Sequence, residues 1–416
     1  MRRVPLVVFA LLAAGCAGGG KAAPSTPDPA LAMTPKARFA AAKPEVTKYL
    51  QALAMDKPLV AQQLAGSDAP GYDEPSLSAL RAWFARLPIG QLHTTATLYK
   101  VKQPGAVGVL VKMRARLKPQ PLSQWVELGR RMIIAAHARE GWRVIADATT
   151  RKGVKIKQQG LSLFPEPAVL SGKHSSVIYE ELEATEAARQ ILSDADDVVP
   201  ALDKAYARDL AAHHPVIFLV RDEKQGEQLS GVKSFRTEVP DGFVLNGVSY
   251  IEWPGWSAGG PVERDGTIAH ELTHVASWTM LGRSPHSMAE GLAMYHQQLF
   301  LHSIGYSMPL VYIKPLYASG RFPSIEIWRR RASDWGIKTP QAVEACYEDA
   351  QMMVTVILQR HGGPAGFERL ANAFTAMHVT GYDYSEAQVR EAFQRGLGVS
   401  FDQVVAEAHA YAASVR

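Results

Sequence analysis

The order of local patterns along the chain predicts an α+β fold. Residues 36–86 carry helical apolar spacing, interrupted at Asp56-Lys57-Pro58 and between Gly66 and Pro75. Residues 91–148 then alternate apolar and polar side chains in the two-residue rhythm of strands, and from Gly266 onward nearly every segment returns to helical spacing. Helices and strands segregated in this way, rather than strictly alternating, are what an α+β chain requires.

The amino terminus reads as an export signal. Arg2 and Arg3 precede an apolar run from Val4 to Ala14, too short to span a bilayer and suited to a signal peptide. Residues 17–35 are rich in Gly, Ala, Pro and Ser without apolar period, a flexible tether of rms span roughly 25 Å.

Residues 36–150 read as a small domain of helices followed by a curved antiparallel sheet. Its strands are expected over 91–102, 106–117, 125–138 and 142–148, turning at Gln103-Pro104-Gly105 and Glu140-Gly141. Residues 151–173, with Pro165 and Pro167, read as a linker. Residues 174–416 form a second region. Strands at 175–180 and 215–220 flank a helix over 185–210, kinked at Pro200, and 242–253 reads as one strand at a sheet edge. Residues 254–260 read as a loop, and helices follow over 268–280, 287–300, 341–361, 365–377, 385–395 and 400–412.

Composition narrows the function classes. The 416-residue chain is long enough for two or three domains, and its 47% hydrophobic content is that of ordinary globular proteins. The formal charge of +5 falls to +3 when Arg2 and Arg3 leave with the signal, and no basic stripe interleaved with aromatics is visible. No nucleic-acid partner is expected. Of two cysteines, Cys16 and Cys346, the second lies alone on an apolar helical stripe, so no internal disulfide is expected in the mature chain.

The chemistry is concentrated in His270-Glu271-Leu272-Thr273-His274 and in Glu290 of Ala289-Glu290-Gly291-Leu292-Ala293. Residues four apart on a helix share a face, so His270 and His274 can direct both imidazoles at one ion, with Glu271 beside them. Three protein ligands and one open position suit a catalytic Zn2+, with Glu290 as the third ligand and Glu271 as general base rather than ligand. Chance would produce the pentapeptide on the order of 0.02 times in a chain of this composition. Two plainer readings stand beside this one. The histidines can form a polar helix face without metal, and Ser287-Met288-Ala289-Glu290 also matches a capping box. A metzincin scheme fails, because Ser277 and Met280 stand where a glycine and a third histidine are needed, and a di-iron bundle would need a second Glu-x-x-His. His286 and His296 flank Glu290 and are further candidates for ligand or oxyanion donor, more often surface or cap residues.

These motifs resemble those of gluzincin metallopeptidases, specifically the bacterial peptidase MA-like group, which reads HELTH and then EGLAxY, here ending at Tyr295. The resemblance covers residues 174 to 416. It implies a thermolysin-like catalytic domain with a mixed sheet and a mostly helical carboxyl-terminal half. Cys346-Tyr347-Glu348-Asp349-Ala350 is similar to the Val-Tyr-Glu-Lys-Gly stretch of aminopeptidase N-like gluzincins, where the Tyr stabilises the oxyanion, so Tyr347 would take that role. Tyr347 also fits the apolar stripe of Val343, Cys346, Ala350, Met353, Val354, Ile357 and Leu358, and core packing is the other reading.

The chain lacks the Gly-x-Met-Glu-Asn strand that reads a free amine, so an endopeptidase is favoured over an aminopeptidase. Met294 stands where thermolysin-like enzymes place an Asp behind a zinc histidine, leaving the support of that histidine unassigned.

Two further resemblances are to sequence neighbourhoods outside the site. Leu12-Ala13-Ala14-Gly15-Cys16 resembles a bacterial lipobox, which makes residues 1–16 a lipoprotein signal peptide and Cys16 a lipidated membrane anchor at the cell envelope. Ala17 in place of Asp favours an outer membrane; ordinary secretion with cleavage near an Ala-x-Ala site is the alternative. The helices and curved sheet of 36–150 resemble a nuclear transport factor 2-like domain. The expected partners are thus a peptide or protein substrate and a membrane. A non-catalytic, zinc-stabilised binding or envelope-assembly module is the competing function.

Overall fold

The computed structural model describes residues 29–118, 125–152, 154–156, 159–206, 214–230, 242–245, 248–319, 322, 324–330, 339–379 and 383–415. The expected signal peptide with Cys16 and most of the expected tether lie outside the described residues.

Local chemistry starts each helix of the first region. Thr34 accepts from the Ala37 N–H at 3.2 Å and Pro35 takes the first helical position, opening α1 (Pro35–Ala54). Asp56, at φ +50, turns the chain into α2 (Pro58–Leu64), and the Asp73 carboxylate caps α3 (Glu74–Ala85) at the Ser76 N–H, 3.3 Å. Four strands follow as an antiparallel meander: β1 (Ile89–Tyr99), β2 (Ala106–Leu117), β3 (Val126–Ala138) and β4 (Gly141–Asp147). The alternation in β2 has a direct consequence. Val109, Val111, Met113, Ala115 and Leu117 are buried against the helices, while Leu110, Lys112, Arg114 and Arg116 point the other way.

Residues 160–171, expected inside a linker, fold as a 3-10 turn (Gly160–Leu163) and strand β5 (Pro167–Ser171). Strand β5 opens a five-stranded mixed sheet of order β5-β6-β7-β9-β8, with β6 (Ser176–Glu180), β7 (Val216–Val220), β8 (Gly242–Leu245) and β9 (Val248–Glu252). Strands β6, β7 and β9 are mutually parallel, and β5 and β8 run antiparallel at the two edges. The single strand expected over 242–253 is therefore two: β8 takes the edge and β9 lies inside the sheet. Helix α4 (Glu181–Tyr206) begins earlier than expected and is irregular at Ala184. The positions 207–210 of the expected helix lie outside the described residues.

Both faces of this sheet are covered. Val177, Tyr179, Ile217, Leu219 and Ile251 pack with α4 and with Ile268, Ala269 and Leu272 of α7 (Pro261–Leu281). Their alternates Ile178, Val216, Phe218, Val220, Val248 and Tyr250 join the same buried cluster as the first sheet and its helices. Short helices α5 (Glu223–Ser230) and α6 (Trp253–Ala258) were not expected. Beyond α7 the described chain is helical: α8 (His286–Ser303), α9 (Ile313–Ala318), α10 (Ser324–Arg329), α11 (Pro340–Arg360), α12 (Gly363–Thr375), α13 (Glu386–Leu397) and α14 (Phe401–Ser414). Met288 and Leu292 of α8 pack with Met353, Val354 and Ile357 of α11 in a third cluster. The molecule is thus α+β with two sheets, and no described helix is long and apolar enough to cross a membrane.

Candidate metal centre

Two consecutive helices supply the three candidate ligands. Pro261 opens α7, the Glu263 carboxylate accepts from the Gly260 N–H at 2.7 Å, and the helix closes at Gly282 with φ +54. Pro285 then starts α8, so Glu290 falls about one turn into it, facing His270 and His274.

The contacts converge. His270 Nε2 lies 3.2 Å from Glu290 Oε2 and 3.1 Å from His274 Nε2, and His274 Nε2 lies 3.4 Å from the same Glu290 oxygen. Three donor atoms therefore form a nearly equilateral triangle. Tetrahedral coordination with ligands at about 2.0–2.1 Å places neighbouring ligand atoms roughly 3.3 Å apart, so the spacing fits one ion without rearrangement. His270, His274 and Glu290 could hold a metal ion. The capping-box alternative is not what the side chain does: α8 begins before Ser287, has no side-chain cap, and the Glu290 carboxylate turns to the histidines.

The electrostatics explain how a carboxylate stays charged there. Burial opposes ionisation of Glu290, yet His274, His286 and His270 around it hold the group well below the usual carboxylate range. Burial likewise disfavours the charged form of His274, but Glu290 and then Glu271 outweigh it and raise the imidazole to about 8.

Two residues that the motif does not name hold the ligands in place. The Gln297 Oε1 sits 3.1 Å from His270 Nδ1; an amide oxygen only accepts, so Nδ1 carries the hydrogen and Nε2 faces the centre. Gly266, one turn before His270, makes room for that amide: a Cβ there would stand 2.7 Å from Gln297 Nε2. His286 approaches the other oxygen of Glu290, Oε1, at 3.3 Å. His286, one turn before Glu290, is already a candidate in the sequence, and the same spacing could have found Gln297, two turns after it. His296 does not join the metal group; burial drives its imidazole down to about 4.

Glu271 is buried beside the ligands, and its side chain stands against the start of the edge strand. A Cβ on Gly242 would lie 3.0 Å from Glu271 Cγ and 3.1 Å from Oε1. Tyr347 projects from α11, whose start is set by Thr339 and Pro340. It is half-buried and outside the apolar clusters that take up Cys346, Met353 and Val354. Burial, with Glu290, Glu271 and Glu344 nearby, holds its phenol well above the ordinary value, so the hydroxyl keeps its proton.

The next two residues are structural. Glu348 accepts from the Val311, Tyr312 and Ile313 N–H groups at 2.9, 2.9 and 2.6 Å, and Asp349 accepts from Tyr317 and Ser324 at 2.7 and 2.6 Å, tying α9 and α10 to α11. Cys346 is a buried free thiol, pushed up to about 12 by burial and then by Asp349.

Fold and site together define an α+β protein with a buried His-His-Glu group open to a metal. No protein-family profile matches the chain, and no curated protein matches it by sequence.

Proposed function

We propose that this chain is a zinc-dependent metallopeptidase of gluzincin type, an endopeptidase, anchored to the bacterial cell envelope through Cys16. The observation that carries the reading is the triangle of His270 Nε2, His274 Nε2 and Glu290 Oε2, with edges of 3.1, 3.2 and 3.4 Å. Its size suits Zn2+ among the ions that accept imidazole and carboxylate. Bound there, zinc would polarise a peptide carbonyl and make water easier to deprotonate near neutral pH.

The chain's own residues complete the chemistry. The Glu271 carboxylate accepts the proton of the attacking water and returns it to the leaving amide nitrogen. The protonated Tyr347 hydroxyl donates to the oxygen that gains charge, a contribution of about 3–4 kcal/mol per donor in the best-studied cases. Among the described residues β8 has no strand partner on its outer side, and its first residue stands against Glu271, so an extended substrate adding to that edge would cross the base. The absence of a Gly-x-Met-Glu-Asn strand supports internal cleavage. The helices and meander of 36–150 fit a nuclear transport factor 2-like domain, and the mixed sheet with α7, α8 and α11 a thermolysin-like one.

The test is Glu271→Gln measured beside the parent protein for zinc content and for cleavage of a peptide library. An enzyme retains zinc and loses cleavage. Zinc retained by both proteins with no cleavage by either would favour the binding-module reading.

A further inference from the structure

Charge is unevenly distributed in this chain. Between Ile89 and Lys157 there are 14 Lys and Arg against 3 Asp and Glu, whereas the rest of the sequence carries 31 against 37. The first sheet, with 10 of those cations, and the segment just after it, with 4, are thus basic in an otherwise acidic protein, although the net charge of +5 conceals it.

Strand pairing gathers part of that charge on one face. On the side of the sheet away from α1, register places Thr95, Lys112 and Arg130 in one row, His93, Arg114 and Glu127 in the next, and Gln91 with Arg116 in a third. The other half of the same face is closed: Met132, Ile134, Ala136 and Ala146 are buried there under Val154 and Ile156. The division is sharp. One half is apolar and covered, and the other holds four cations and one carboxylate. Glu127 meets Arg114 at 3.2 Å and Lys112 at 3.4 Å, while Arg116 and Arg130 have no ion pair among the described residues. Beside them Trp125, 40% exposed, lies under the Arg116 guanidinium at 4.8 Å.

We propose that this open half-face docks on an anionic lipid bilayer. Charge complementarity requires a polyanion, and a strand face spaced at about 6–7 Å between alternate side chains presents a plane of cations rather than a pocket. Exposed Trp beside Lys and Arg is the composition that settles at headgroup depth. The amino-terminal sequence, with its apolar run from Val4 to Ala14 just before Cys16, selects the bilayer among polyanions, because only the short tether expected over 17–35 separates it from the sheet domain. The proposal does not depend on the peptidase reading.

The experiment uses the chain from Ala17 onward, which retains every described residue and has no acyl anchor, so failure here is separable from failure of the Cys16 assignment. Co-sedimentation is measured with phosphatidylcholine vesicles and with vesicles containing about one third phosphatidylglycerol, at about 0.1 M and about 0.5 M salt. Binding is expected only to the anionic vesicles, weakened by salt. Replacing Lys112→Gln, Arg114→Gln and Arg130→Gln together is expected to lower partitioning roughly 100-fold. The same neutralisation at Arg360, Arg390 and Arg395 on the carboxyl-terminal helices is expected to leave it unchanged. If the triple variant loses its thermal transition, the three single variants supply the comparison. Equal binding by parent and sheet variants, equal binding to neutral vesicles, or tighter binding to polyglutamate or single-stranded DNA than to anionic vesicles each overturns the proposal.

Discussion

Gly291 offers the sharpest test of how the candidate metal centre is assembled. It follows Glu290 directly and lies where α8 meets α11. A Cβ at this position would stand 2.4 Å from the Ala350 carbonyl oxygen, 2.6 Å from its carbon and 2.7 Å from Val354 Cγ2. Two of those atoms are backbone, so no rotamer change relieves the contact. Ordinary separation requires the helices to part by roughly 1 Å. Overpacking of this kind costs about 1–3 kcal/mol. The displacement also carries the Glu290 carboxylate away from the histidines, and a metal site tolerates only about 0.2 Å in its ligand distances.

Gly291→Ala is therefore expected to lose both quantities together: about 1–3 kcal/mol of metal-free stability in urea unfolding, and at least the roughly 10–100-fold in zinc affinity that loss of an outer contact gives. Zinc affinity is read by competition with a chromophoric chelator. An alanine variant with parental stability and parental affinity would refute the argument that the glycine sets the α8–α11 distance for Glu290.

Three further outcomes follow from the same geometry. Gln297→Ala removes the acceptor that orients His270 and should weaken zinc binding roughly 10–100-fold with little change in metal-free stability, while Gln297→Glu restores it; chelator competition with a parallel urea titration reads both. On the proposed function, Gly242→Ala, which presses on Glu271 at 3.0–3.1 Å, should lower kcat for a cleaved peptide while zinc content stays at the parental level. Asp349 is raised from 3.8 to about 6 by burial, against its bonds from Ser324 and Tyr317. A raised acid binds its proton more tightly when folded, so its contribution is present below about pH 4 and is lost as pH rises through 6, a difference of roughly 3 kcal/mol. Asp349→Asn, which keeps an acceptor for both hydroxyls, should flatten that part of the stability profile measured by urea unfolding from pH 4 to 8.

How much of this was legible in the sequence depended on whether the signal was local. His270 and His274 announce themselves, because a four-residue interval fixes their shared face as soon as α7 forms. Glu290 does not, since Ser287 to Glu290 satisfies a capping pattern equally well; only the start of α8 at His286 and its packing on α7 decide between the readings. The 242–253 segment hides its division into two strands for a different reason. Apolar and aromatic residues flank Asn246-Gly247 on both sides, although that dipeptide is the one most characteristic of a tight hairpin, and Leu245 pairs with Val248 across that point. The strand-forming residues on either side conceal a turn signal that the sequence carries. Helices α9 and α10 are short and held by Glu348 and Asp349 of a distant helix, so nothing local predicts them.

The basic half-face shows the same limit from the opposite direction. Its cations come from residues 112, 114, 116 and 130, and the linear chain interposes Val111, Met113, Ala115 and Leu117, all buried on the other side of the sheet. Read as a string, that stretch is an apolar strand with scattered charges. Folded, the period of two sorts one set inward and the other outward, and the β2–β3 register adds Arg130 beside Lys112. Electrostatic repulsion between neighbouring cations on one face is unfavourable for the isolated domain, and Glu127 offsets it for Lys112 and Arg114 alone. A surface that keeps Arg116 and Arg130 outside any such pairing among the described residues is stabilised when an external anion supplies the missing charge, which is why salt dependence, more than affinity itself, is the discriminating measurement for this face.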